Sequence, residues 1–394
     1  MNILFITGFP VVKHIGGVQR VTDILAQEFI AQGHNTYFLS YKKVDSLLDC
    51  EYTCEQFYIT PKDDYNEEYP KLLKEKKIDL VINQMVSSFA GKLLRLTPTD
   101  IKILSAYHSL PFYQKGKEMA LIRNHHPENL VGKIYKFIAT MFPFIHKMRI
   151  NRDIKTQIRE FNEITNLSDR LCLLSEHYIP RVLKMIPNIN KEKLTAINNP
   201  NTFNITELDL TKKENVIICA GRIDEIIKNM IDFIKCWEVL YKNNPNWKAY
   251  IIGDTPYKND LSRLKEYVKS HNIQNFHFTG RIDNIQEYYE KAKIIVLPSI
   301  IEGWPMVLNE AKAYGCVPCS YNSYEAVYEI IENGKSGIIV PFLQWKKMAN
   351  AIQSLINDDK NLSIMAKNAY NSTIKYKSTV IAQKWIDLAD SIKK

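Results

Sequence analysis

Short apolar runs that end in glycine or a polar loop recur along this chain, and stretches with helical spacing separate them. That alternation limits the fold more than any other feature. Strands are expected at residues 1–7, 36–40, 79–83, 101–106, 170–174 and 193–197, and again at 215–220, 249–252, 275–279, 294–297, 317–321 and 337–340. Strands that alternate with helices argue for parallel sheets covered on both faces. A chain of 394 residues with 45% hydrophobic content is too long for one ordinary core, so two such domains are expected. The polar stretch 200–214 has no periodic apolar pattern and is the best linker, which places the division at 1–203 and 204–377.

The richest stretch is 299–315, Ser-Ile-Ile-Glu-Gly-Trp-Pro-Met-Val-Leu-Asn-Glu-Ala-Lys-Ala-Tyr-Gly. Pro305 suits the first helical position, where its missing N–H costs nothing, and Gly315 suits the left-handed position past the end. A helix from about Pro305 to Tyr314 follows. Glu302 then lies in the loop before a helix N-terminus and Glu310 inside the helix. The five residues from Pro305 to Glu310 rise roughly 7–8 Å, enough for two carboxylates to meet opposite ends of one extended polar ligand. The helix N-terminus favours an anion between them.

Two other places hold cations or bare backbone at a strand end. Gly221 and Arg222 close the strand 215–220, and Lys228 follows near the start of a helix expected at 229–243. An Arg fork and a Lys point charge aimed at one spot would clamp a diphosphate. Gly16 and Gly17 precede a helix at 18–32, where backbone N–H groups can approach a phosphate or simply form a tight turn. His108 stands at the carboxyl end of the strand 101–106, the edge where open α/β sheets bind ligands.

Glu302-Gly303-Trp304-Pro305 followed by Glu310-Ala311, with Gly315 and Pro318 behind, resembles the donor-site signature of the retaining family 4 glycosyltransferases. The Gly-Arg pair with Lys228 is similar to that family's pyrophosphate-binding pair. The resemblance covers nearly the whole chain and is strongest over residues 215–341. It implies a GT-B fold: two doubly wound, Rossmann-like domains facing across a cleft, with helix 378–394 crossing back onto the first. It implies transfer of a sugar, with retention, from a nucleotide-diphosphate donor, expected to be a UDP-sugar. The acceptor would be a hydroxyl of a cell-envelope, polysaccharide or lipid-linked saccharide. In the roles so implied, Glu310 takes the ribose hydroxyls. Glu302 and the backbone of Gly303, Trp304, Pro305, Met306 and Val307 hold the donor sugar. Arg222 and Lys228, with the N–H groups near Gly17, stabilise the leaving diphosphate. Gly280, Arg281 and Ile282 hold the base, Gly16 and Gly221 shape the donor loops, and His108 contacts the sugar from the first domain. No obligatory metal or cofactor is implied. Pro305 departs from the common string, which has glycine there, and so removes one N–H from the donor loop. A sugar-nucleotide epimerase of the same architecture and a non-catalytic sugar-nucleotide-binding protein are the alternatives.

Composition narrows the setting. The seven cysteines are scattered, and the lone Cys316-x-x-Cys319 lies in an apolar run, so buried free thiols in a reducing cytosol are expected. The N-terminus reads as a strand, not a signal peptide. The longest apolar stretch, 137–145, falls short of the ~20 residues a membrane span needs. The net charge of +9 is uneven: residues 112–160 hold ten Lys/Arg against four acids. Large apolar side chains interleave with Lys133, Lys136 and Lys147 there. An anionic membrane surface and an ordinary core helix with a basic rim both fit that pattern, and nucleic acid is disfavoured. The location implied is cytoplasmic, peripheral at the inner face of the plasma membrane if the segment binds lipid.

Overall fold

The computed structural model describes residues 1–394 except 13–15, 45, 46, 48, 49, 126, 128, 205, 206, 256 and 394, and the side chain at 258. Strands β1 (Asn2–Thr7), β2 (Asn35–Ser40), β3 (Glu55–Tyr58), β4 (Leu80–Asn83), β5 (Lys102–Tyr107), β6 (Arg170–Leu173) and β7 (Leu194–Ala196) make a seven-stranded sheet. Its order is β3-β2-β1-β4-β5-β6-β7. Strands β8 (Glu214–Ala220), β9 (Lys248–Ile252), β10 (Phe276–Gly280), β11 (Ala292–Leu297), β12 (Val317–Tyr321) and β13 (Ile338–Val340) make a six-stranded sheet ordered β10-β9-β8-β11-β12-β13. All of these pairings are parallel.

Each order reverses at one place, between β1 and β4 and between β8 and β11. Connections leave the two strands toward opposite faces there, and a crevice opens beyond their carboxyl ends. The sheets are therefore doubly wound and Rossmann-like. Burial agrees: Ile3, Leu4, Phe5 and Ile6 in β1 and Ile294, Ile295, Val296 and Leu297 in β11 are all essentially inaccessible, as strands covered on both faces must be.

The chain forms two compact units. Unit 1 comprises Met1–Phe112, Asp153–Thr202 and Lys375–Lys394, and unit 2 comprises Tyr113–Arg152 and Phe203–Ile374. In unit 1, Phe5 stacks on Phe29 at 5.9 Å and meets Phe38 at 6.1 Å. The C-terminal helix Ser378–Asp390 buries Ile381, Trp385 and Ile386, and Ser378 donates to Glu28 Oε1 at 2.6 Å. In unit 2 the core gathers around Trp237, Phe233 and the inner residues of β8, β9 and β11.

The division differs from the one read in the sequence at residues 113–152, expected with the first sheet. They pack into unit 2 through polar contacts that no apolar pattern announces. The buried Lys117 ammonium donates to the carbonyls of Ile300 and Ser323, and Asn124 donates to the Glu225 carbonyl and to Asn229 Oδ1. Strand β3 is a further difference, a short, half-exposed edge strand without apolar alternation. Cys316 and Cys319 are buried free thiols.

Candidate active site

The crevice of unit 2 begins where β8 ends. Gly221 N–H donates to the Ile252 carbonyl at 2.9 Å, so the ends of β8 and β9 are drawn together. Gly253 allows this approach: its φ is 144°, and a Cβ there would stand 1.9 Å from the Gly221 oxygen. Arg222 follows at the rim, its side chain 58% exposed and paired with Asp224 Oδ2 at 3.1 Å. Asp224 then closes a tight turn. Its carbonyl accepts from Ile227 N–H and Lys228 N–H at 3.1 and 2.6 Å, and its Oδ1 accepts from Ile227 N–H at 3.3 Å.

That turn brings Lys228 back to the β11 side. Ile300 N–H donates to the Ile227 carbonyl at 2.7 Å, tying the turn to the loop after β11. Lys228 Nζ donates to Glu302 Oε1 at 2.6 Å, with only 20% and 9% of the two side chains exposed. The structure thus brings Lys228 to Glu302, while Arg222 is held by Asp224. A charge pair this sheltered from water holds its geometry, and removing either partner leaves an uncompensated charge in a poorly solvated place.

The loop carries on through Gly303 and the buried Trp304 into the helix Met306–Ala313. The helix starts one residue later than expected, with Pro305 as its cap and not its first residue. Leu308 N–H donates to the Pro305 carbonyl at 3.1 Å. The N–H groups of Met306 and Val307 lie in the first turn, where no helical carbonyl reaches them. Gly315 ends the helix at φ 77°, as its position implies. Glu310 is 1% exposed, and its Oε2 accepts from the fully buried Tyr289 hydroxyl at 3.0 Å. The turn Gly280, Arg281 and Ile282 begins at the last residue of β10, and the Gly280 carbonyl accepts from Gly253 N–H at 3.0 Å. Unit 2 therefore places the Arg222–Lys228 turn, the 302–307 loop, Glu310 and the 280–282 turn along the carboxyl edge of one sheet.

Two residues of this region carry no signal in the sequence. Lys117 ties down the loop carbonyl two residues before Glu302. Glu225, 3% exposed, accepts from Met230 and Ile231 N–H at 2.8 and 3.2 Å and so caps the helix Met230–Leu240. Burial pushes its carboxyl up to about 7, against the pull of those two N–H groups.

The remaining expected residues lie in unit 1. Gly16, at φ 70°, caps the helix Gly17–Ala31 after β1; part of the loop before it, 13–15, lies outside the described residues. His108 follows β5, and its Nε2 hydrogen-bonds Gln84 Oε1, the residue after β4. Desolvation draws the imidazole down to about 4, outweighing a hydrogen bond with Asn199 that favours the charged form. His108 is neutral at physiological pH. Among the described residues, no three His, Cys, Asp or Glu side chains gather as a metal site, and no helix is long and apolar enough to cross a membrane.

The family model described as glycosyl transferases group 1 matches residues 201–372, the stretch that builds this crevice. Residues 201–372 belong to that family. The chain is 30% identical over 184 residues to the GalNAc-alpha-(1->4)-GalNAc-alpha-(1->3)-diNAcBac-PP-undecaprenol alpha-1,4-N-acetyl-D-galactosaminyltransferase of Campylobacter jejuni, a match covering 46% of this chain and 50% of that one. An uncharacterized glycosyltransferase of Haemophilus influenzae is 23% identical over 94% of this chain and 95% of its own length. The chain thus spans half of the first relative and nearly all of the second. The crystal structure of Anabaena Alr3699/HepE in complex with UDP superposes with a TM-score of 0.74 at 14% identity, covering 100% of both chains. The group 1 glycosyltransferase domain therefore sits in a chain whose fold, over its full length, is that of GT-B glycosyltransferases.

Proposed function

We propose that the protein transfers a sugar from a nucleoside-diphosphate donor to a hydroxyl of a lipid-linked or polysaccharide saccharide, with retention of anomeric configuration as in family 4. The observation that carries this reading is the Lys228–Glu302 pair beside the first turn of Met306–Ala313, at the switch point of the second sheet. A diphosphate in that crevice meets the Lys228 ammonium and the Arg222 guanidinium, with the Met306 and Val307 N–H groups at the helix start. These are fixed donors where charge grows on the leaving group. Glu302 accepts from hydroxyls of the donor sugar. Glu310, oriented by Tyr289, accepts from the ribose, and the 280–282 turn holds the base. His108, neutral, serves as a hydrogen-bonding partner for a saccharide hydroxyl.

UDP as the nucleotide is favoured by the complex that gives the matching fold, and a polyprenyl-diphosphate acceptor by the Campylobacter relative. An acceptor of that kind places the enzyme at the membrane surface. In this proposal the two basic side chains neutralise the diphosphate without a metal ion, so a chelator leaves the rate unchanged.

The test is release of nucleoside diphosphate from a panel of sugar nucleotides, with and without polyprenyl-diphosphate saccharides, and anomer assignment of the product by NMR. Release that depends on acceptor, with a product of unchanged anomeric configuration, is expected. Silence with every donor and acceptor pair would overturn transfer, and donor interconversion without acceptor would mark an epimerase.

A further inference from the structure

The segment 130–152 carries Lys133, Lys136, Lys147, Arg149 and Arg152 and no acid. Its first helix, Leu130–Met141, has a single buried residue, Ala139. Leu130, Ile134, Phe137 and Met141 share one helical face and are at least half exposed, and Phe144 and Met148 continue the apolar surface into the helix Pro143–Leu167. The two helices are pinned together by polar contacts. Tyr135 Oη hydrogen-bonds His146 Nδ1 at 2.7 Å, and Arg149 lies 5.3 Å from the Tyr135 ring centroid. Contiguous apolar surface of this kind, rimmed by charge, marks an interaction site.

A cavity of about 500 Å³ opens beside it, between Leu130–Met141 and the helix Lys258–Ser270. Lys133, Lys136, Phe137, Thr140, Asn259 and Arg263 line it. Lys136 donates to the Arg123 carbonyl at 3.1 Å. Its ammonium is disfavoured by burial and by the nearby Arg263 charge, a penalty that an anion between the two would relieve. Phe137 belongs both to the wall of this basic cavity and to the exposed apolar face. The ligand that satisfies both is amphiphilic, with a phosphate at one end and hydrocarbon at the other.

We propose that this cavity seats the phosphate headgroup of an anionic phospholipid while the 130–148 face enters the acyl boundary, so that the hairpin is the protein's bilayer contact. The idea rests on the reading of a lipid-linked acceptor. A free phosphate would leave the apolar face unexplained. A second copy would set the five cations of this segment against the same five.

Flotation with vesicles of phosphatidylglycerol and phosphatidylcholine, against phosphatidylcholine alone, tests it. The wild type should float with the anionic vesicles. The K133Q/K136Q/R263Q triple variant should lose partitioning roughly a hundredfold, and F137S/F144S should lose it comparably. The variant K265Q/K269Q, which removes two charges of the Lys258–Ser270 helix outside the cavity, should lose far less. An equal loss in that control would show a net-charge effect and overturn the proposal. So would displacement from vesicles by millimolar glycerol phosphate, which marks a soluble anion site, or equal binding to a DNA duplex. A wild-type dimer dissolved by F137S/F144S in sedimentation would assign the face to a second copy. Nucleoside diphosphate release with a water-soluble acceptor should be the same in wild type and triple variant. Failure of transfer with flotation intact therefore strikes the function alone, and the reverse strikes the bilayer contact alone.

Discussion

Lys117 shows how much of this site depends on a residue far from it in the chain. It is 8% exposed, and its ammonium donates to the carbonyls of Ile300 and Ser323, while Ser323 Oγ donates to the Ser299 carbonyl at 2.6 Å. The loop that delivers Glu302 is thus held by its carbonyls from one side and, through Ile300 N–H, by the Lys228 turn from the other. Lysine has three donors and no acceptor, which suits a place where carbonyls converge. Lys117→Met keeps the length and apolar stem but strips the donors from these carbonyls, at about 1–3 kcal/mol for each buried group left unmet. We expect kcat/KM for transfer to fall roughly tenfold or more with Lys228 and Glu302 intact. Steady-state kinetics check this, and an unchanged kcat/KM would show that the loop holds its place without Lys117. The placement of Glu302 before a helix and of Glu310 inside it was legible because the signals are local: a strand, a proline, a glycine stop. Lys117 was not, because its partners lie 183 and 206 positions away and are backbone atoms, which leave no trace in the residue pattern.

At the scale of elements, strands buried on both faces were legible nearly to the residue, as β11 and β12 show, because a continuous apolar run admits few other readings. Helix starts were less so. The helix expected at 229–243 divides into Met230–Leu240 and a short 3-10 turn, Tyr241–Asn243. Its start is set by Asn229 in the left-handed region and by the Glu225 carboxylate reaching back onto two N–H groups. That cap has a measurable cost. Burial raises the folded pKa of Glu225 to about 7 from an ordinary 4.5, so the folded chain keeps a proton that the unfolded chain releases. Stability from this group is therefore complete below pH 4.5 and is lost as pH rises through 7, amounting to about 3 kcal/mol. In Glu225→Gln this slope is absent. Urea midpoints of both proteins at pH 5 and pH 8 should show the wild type losing more stability over that interval. His108, held near 4, contributes the opposite slope in both proteins and cancels in the comparison. Parallel profiles would mean that Glu225 is ionised in the fold across this range.

Over the whole molecule, neither unit is one continuous stretch of chain: the path changes unit at 112/113, 152/153, 202/203 and 374/375. The sequence reveals the third of these as a polar linker, and the family resemblance implies the last as the approach to the crossover helix 378–394. The first two are hidden inside a basic, aromatic segment whose attachment to unit 2 rests on Lys117 and Asn124. Cutting at the visible boundary should therefore produce a fragment with its sheet intact and its site loosened. In residues 204–377 alone, β8 and β11 keep their neighbours β9 and β12, so their amides should stay protected against hydrogen exchange. The amides of residues 299–303, deprived of the Lys117 clamp on the Ile300 carbonyl, should exchange roughly ten to a hundred times faster than in the full chain. Joining residues 113–152 to the fragment through a flexible linker should restore their protection, because the missing contacts lie within unit 2. If the fused segment leaves 299–303 exchanging as fast as before, residues 113–152 do not order the donor loop, and the Lys117→Met effect would need another cause.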